Sequence, residues 1–101
     1  MDRRLAFHDE LEGLLGSSNV YFQHPENTKM KYPAIVYDLS NILTRYANDG
    51  TYKHNAQYEV TYIDEDPDND MVEKLIHIPL SRFNRHFVVD QLHHYVFIIS
   101  R

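Results

Sequence analysis

Apolar positions change period along this chain, and each change of period predicts an element. Phe7, Leu11, Leu14 and Leu15 recur at three- and four-residue spacing, with Asp9, Glu10 and Glu12 between them. This is the stripe of a short amphipathic helix, which Gly16-Ser17-Ser18 ends. Val20 to Gln23 then reads as a strand, and His24 to Lys31 as a polar loop. Tyr32 precedes Pro33 and is biased to extended backbone, which leads into a second strand from Ala34 to about Ser40. The sharpest alternation follows. Tyr58, Val60 and Tyr62 fall on one face of a third strand, and Glu59, Thr61 and Ile63 on the other.

The segment from Asn41 to Asn55 carries a turn signal at Asn48-Asp49-Gly50 but also Ile42, Leu43, Tyr46 and Tyr52. It is too apolar for a solvated loop, so either the strands continue into it or a partner covers it. Asp66 is the expected N-cap of a second helix and Pro67 its first residue, with further acids favoured by the helix dipole. Met71, Val72, Leu75 and Ile76 form the expected buried stripe, and Pro79 bars continuation. Two strands complete the chain, about Arg82 to Val88 and His94 to Ser100. Tyr95 to Ile99 is apolar throughout, as in a strand covered on both faces. The expected fold is α+β, in the order α-β-β-β-α-β-β. A mainly antiparallel sheet of about five strands carries both helices on one face.

With 101 residues, the chain has the size of a single domain, 1–101. No apolar run approaches the roughly 20 residues a membrane helix requires, and the early acids break any signal-peptide stretch. The absence of cysteine excludes disulfides, thiolate metal sites and cysteine nucleophiles. A net charge of −5 argues against sequence-independent nucleic-acid binding, which draws on Lys and Arg. Protein partners are the better expectation.

Candidate chemistry is sparse. Asp64, Asp66 and Asp68 have the alternate spacing of a calcium loop, but Asn69 stands where the loop needs Gly and Leu75 where it needs Glu. A solvated turn capping a helix is the simpler account. His93 and His94 are adjacent and point to opposite faces of a strand, and no HExxH spacing supports zinc. Pro67-Asp68 lacks the acid-x-Lys triplet of metal-dependent nucleases. Nucleophile elbow, P-loop and dinucleotide fingerprint are all absent from the sequence. No catalytic, cofactor-binding or metal-binding residue is assigned, and the expectation is a protein that is not an enzyme. Eight tyrosines exceed what a small core requires, and tyrosine is frequent at interfaces. Tyr58 and Tyr62 are expected in strand packing. Tyr46 and Tyr52, with Lys53 beside them, are candidates for a subunit interface. Arg82 and Arg85, placed on two sides of one short strand, could pair with carboxylates across a boundary.

Several stretches together resemble small neck proteins of tailed bacteriophages, of the tail-terminator or head-tail joining family. They are Val20-Tyr21-Phe22-Gln23 with Pro25, Met30 to Tyr37, Asp64 to Asp70, and Arg82 to His86 running on to Asp90 to Phe97. The resemblance implies a virion subunit, assembled in the bacterial host cytoplasm, that forms a homo-oligomeric ring, typically a hexamer, on the end of the tail tube. Such a ring ends tube growth, meets a head-completion or connector protein, and lets genomic DNA pass through its lumen without specific binding. A lumen lined with carboxylates would repel the DNA backbone. No catalytic residue or cofactor is implied. The alternatives are a head-completion (stopper) neck protein and a small metal-dependent enzyme.

Overall fold

The computed structural model describes residues 3–23, 31–46 and 52–100. The elements follow in the expected order: α1 (Arg3–Leu15), β1 (Val20–Phe22), β2 (Ala34–Tyr46), β3 (Tyr52–Asp64), α2 (Met71–Ile76), β4 (Ser81–Val89) and β5 (Leu92–Ser100). The five strands form one sheet in the order β1-β2-β3-β5-β4. This is an α+β fold. Its sheet is mixed, because β1 runs parallel to β2 while the other pairings are antiparallel. The connection between β1 and β2 is long enough to return the chain to the end it left, whereas a tight turn would have forced an antiparallel pair. The expected polar loop at 24–31 falls almost wholly outside the described residues.

The alternation in β3 decides which face is buried. Tyr58, Val60 and Tyr62 lie against Leu39, Tyr37 and Ile35 of β2 and against Ile99, Phe97 and Tyr95 of β5. Both helices cover this face. From α1, Phe7 and Leu11 are buried, with Leu14 and Leu15 packed alongside. The Phe7 ring stacks on Tyr58 at 5.0 Å and meets the edge of Tyr37 at 5.6 Å. Gly16 ends the helix in the left-handed conformation, φ 79°, and its N–H donates to the Glu12 carbonyl at 2.9 Å. That bond satisfies a carbonyl the last turn would leave open, at a φ that favours glycine.

Arg4, His8 and Glu12 fasten α1 to the sheet. The Tyr37 ring is fully buried, and its hydroxyl lies 2.7 Å from Nδ1 of His8 and 3.4 Å from Nη1 of Arg4. Glu12 Oε2 is 3.5 Å from the other imidazole nitrogen. The Arg4 guanidinium also covers the Phe22 ring at 4.5 Å. A phenol oxygen buried in this way needs its partners to offset lost hydration, so the row of polar groups holds the helix in register on β2.

The second helix starts later than its sequence predicts. Asp64 Oδ1 accepts the Asp66 N–H and Asp66 Oδ1 accepts the Asp68 N–H, which locks 64–68 into successive side-chain turns. Asp70, not Asp66, is the N-cap, and its own side chain caps nothing. Asn69 Oδ1 instead accepts the Val72 N–H at 3.3 Å. The helix is only six residues long, so its buried stripe is Met71 and Leu75. Ile76, expected inside, is exposed, and Ile78 in the following turn is buried in its place.

Candidate interaction surface

Two parts of the sheet extend beyond this core and touch it at their inner ends, through Ala56 of β3 and through the Phe83 ring of β4, which meets Phe97 at 5.5 Å. The first is the far half of the β2–β3 hairpin. Both strands are thirteen residues long, and they pair as far as Tyr46 opposite Tyr52. Beyond Gln57, which still faces Ser100 of β5, five rungs from Ile42↔Ala56 to Tyr46↔Tyr52 have no third strand beside them among the described residues. At about 3.4 Å per residue this is an arm of about 17 Å. It begins beside an irregularity between Leu39 and Asn41, where the extra residue Ser40 bends the sheet. The molecule measures 51 Å in its longest direction against 25 and 22 Å across.

The strands thus continue into the segment that composition marked as too apolar for a loop. Backbone register places Tyr46 opposite Tyr52, and Lys53 opposite Arg45. The Asn48-Asp49-Gly50 turn signal lies outside the described residues.

The second part is β4, the last strand in the sheet order. Every residue from Arg82 to Val89 is exposed. Phe83, Phe87, Val88 and Val89 present apolar side chains to solvent there, and Leu80 precedes them at 74% exposure. Sequence reasoning found the strand but missed these residues as surface. Apolar alternation does not tell an edge strand from a central one, and the only signal was the interleaved Arg82, Arg85 and His86.

The expectation that Arg82 and Arg85 occupy two sides of the strand is corrected here. Arg82 faces Ile98 and Arg85 faces Val96 on β5, with the pairing register shifting between Phe83 and Arg85. Ile98 and Val96 are two residues apart and share a face. Asn84 is the extra residue, so both arginines stand on the face away from the helices. Arg85 lies 3.6 Å from Glu59 and 5.6 Å from the Phe87 ring centre. Arg82 makes no ion pair among the described residues. The arm and β4 lie on different elements, so the five candidate residues fall into two separate groups.

The histidines divide as adjacency requires. His94 stacks on Phe87 at 4.7 Å on the face away from the helices and donates from Nδ1 to the Leu92 carbonyl. On the helix side His93 meets His86, ring nitrogens 3.1 Å apart and planes within 4°, so the two imidazoles lie edge to edge. His86 also stacks on Tyr95 at 4.6 Å. Among the described residues no three His, Asp or Glu side chains converge as metal ligands.

The acidic turn borders a shallow depression whose wall includes Pro33, Tyr62 and Met71. Burial, first of all, pushes the Tyr62 phenol well above its usual range. The hydrogen bond to Asp64 adds to this, as do the charges of Asp64, Asp70 and Asp66. Asp64, Asp66 and Asn69 spend polar groups on neighbouring backbone, so the turn is an anionic surface built on local hydrogen bonds. A comparison with protein-family models finds no match, and neither does a comparison with curated proteins.

Proposed function

We propose that this chain is a structural subunit of a phage neck, a tail terminator or head-tail joining protein. In this reading it forms a ring at the head-proximal end of the tail tube, ends tube growth and leaves a passage for DNA. The phage assignment rests on the resemblance of Val20 to Gln23 with Pro25, of Met30 to Tyr37, of Asp64 to Asp70, and of Arg82 to His86 running on to Asp90 to Phe97. One structural observation supports the mode of action, which is contact and not turnover. The β2–β3 arm runs five rungs past the end of its pairing with β5, with no third strand beside it among the described residues. A two-stranded ribbon is marginally stable alone in water, so such an arm gains from a surface to lie on, and a neighbouring subunit or the tube supplies one. A ring of identical subunits needs a heterologous interface whose rotation closes, and a projecting arm suits that geometry.

Two experiments test the reading. Deleting residues 46–52 should leave a folded chain, by circular dichroism, that no longer forms rings or completes tails. Unchanged assembly by light scattering and electron microscopy would remove the arm from the account. In micrographs of particles made without the protein, overlong or unjoined tails are expected. Normal tails on heads that leak DNA would instead identify a stopper.

A further inference from the structure

We infer that exposed β4, on the face that carries Arg82 and Arg85, is the surface on which a second copy of this chain docks, through the acidic turn 64–70 of that copy. The inference rests on the self-association proposed above and names the two surfaces that meet. An edge strand offers a row of backbone donors and acceptors with no strand beyond it, and proteins blunt such edges by shortness, proline, bulges or charge. The bulge and arginines of β4 discourage a plain added strand but leave its apolar side chains uncovered. β4 is nine residues long, contains no proline and keeps Phe83, Phe87, Val88 and Val89 in solvent. Its only ionisable side chains are Arg82, Arg85 and His86, with no acid among them. The bulge at Asn84 gathers both arginines on one face.

Charge selects the occupant. Residues 64–70 hold five acids and no base, and Glu65, Asp66, Asp68 and Asp70 are exposed. Asp90 lies near Glu65 across a shallow depression and extends the anionic patch. Among the described residues no ion pair joins this turn to β4 of the same chain, and Glu65 and Asp68 pair with no cation. Self-complementary pairing of β4 with β4 is disfavoured, because antiparallel pairing centred on the strand sets Arg85 against its own copy, and like charges directly opposite repel. Basic edge against acidic turn is instead a head-to-tail contact, the kind that builds rings.

The test reverses charge on each side separately. R82E/R85E and E65K/D68K/D70K chains, the second leaving a net positive turn that keeps the Asp64 and Asp66 acceptors, are each measured alone by sedimentation velocity, and then mixed in equal amounts, with tail tubes present where the wild-type chain needs them. Each variant alone should associate about a hundredfold more weakly than wild type, since like-charge juxtaposition costs several kcal/mol. The mixture should recover assembly, because every interface then again joins opposite charges. Wild-type assembly by either reversed chain alone, or failure of the mixture while both chains keep their circular dichroism, overturns the inference. Loss of duplex-DNA binding in R82E/R85E with self-association intact also overturns it, since the strand would then meet phosphate. Where the reversal does not fold, R82A/R85A replaces it, and its unchanged association counts against the inference. Assembly of the wild-type chain together with unchanged assembly of every β4 variant overturns this inference and leaves the ring reading standing. One that never self-associates, with tubes supplied, ends that reading and this inference together.

Discussion

The Tyr62 ring is 1% exposed, yet its hydroxyl reaches Asp64 Oδ2 and donates to it at 2.5 Å. One residue thus belongs to the core through its ring and to the acidic turn through its oxygen. Its phenol is held protonated well above the usual value of 10.0. The sign of the consequence is fixed. The unfolded chain releases this proton near pH 10 and the folded one does not, so stability is complete below that pH and is lost as pH rises past it. The expected slope is about 1.4 kcal/mol per pH unit. Denaturant unfolding from pH 8 to 11 should show that loss, and Tyr62→Phe should reduce it while costing about 1 kcal/mol at neutral pH for the missing hydrogen bond. An identical alkaline slope in the variant would assign the loss to other groups.

At the level of elements, the β4–β5 hairpin closes through Asp90 and Gln91, both at positive φ, 52° and 66°, with Val89 opposite Leu92. This is the two-residue turn whose twist matches the strands, and it prefers Asn-Gly. Replacing Asp90-Gln91 by Asn-Gly should raise stability by about 1 kcal/mol, read as a higher denaturant midpoint at unchanged slope. A lower midpoint would contradict the turn geometry.

The same hairpin shows what the sequence made legible. Alternation at Tyr58, Val60 and Tyr62 and the stripe of Phe7, Leu11, Leu14 and Leu15 found their elements, because burial on one face writes a period into the chain. The extra residue Asn84 leaves no such trace. One inserted position turns every later side chain over, so Arg82 and Arg85 could be placed on one face only from the pairing. The start of α2 lies later than the sequence predicts because Asp66 and Asn69 serve equally well as caps and as turn formers. The parallel placement of β1 follows from how a connecting segment returns, which periodicity does not record. Of the candidate interface, the apolar character of 41–55 was readable. The exposure of Phe83, Phe87, Val88 and Val89 was not, because it follows from β4 being last in the sheet.

For the whole molecule, one helix-covered core carries two extensions, an arm of five rungs with no third strand beside them among the described residues, and a basic, apolar edge. Both are features that self-association would cover, and the acidic turn supplies the opposite charge. On the function proposed above, the protein works by its shape and by contact with copies of itself. The most direct measurement is the mass of the purified wild-type chain in solution, by light scattering across a concentration series, alone and with tail tubes added. A closed oligomer of one defined size that forms on the tubes is the expected result. A chain that stays monomeric at every concentration with tubes present would contradict it.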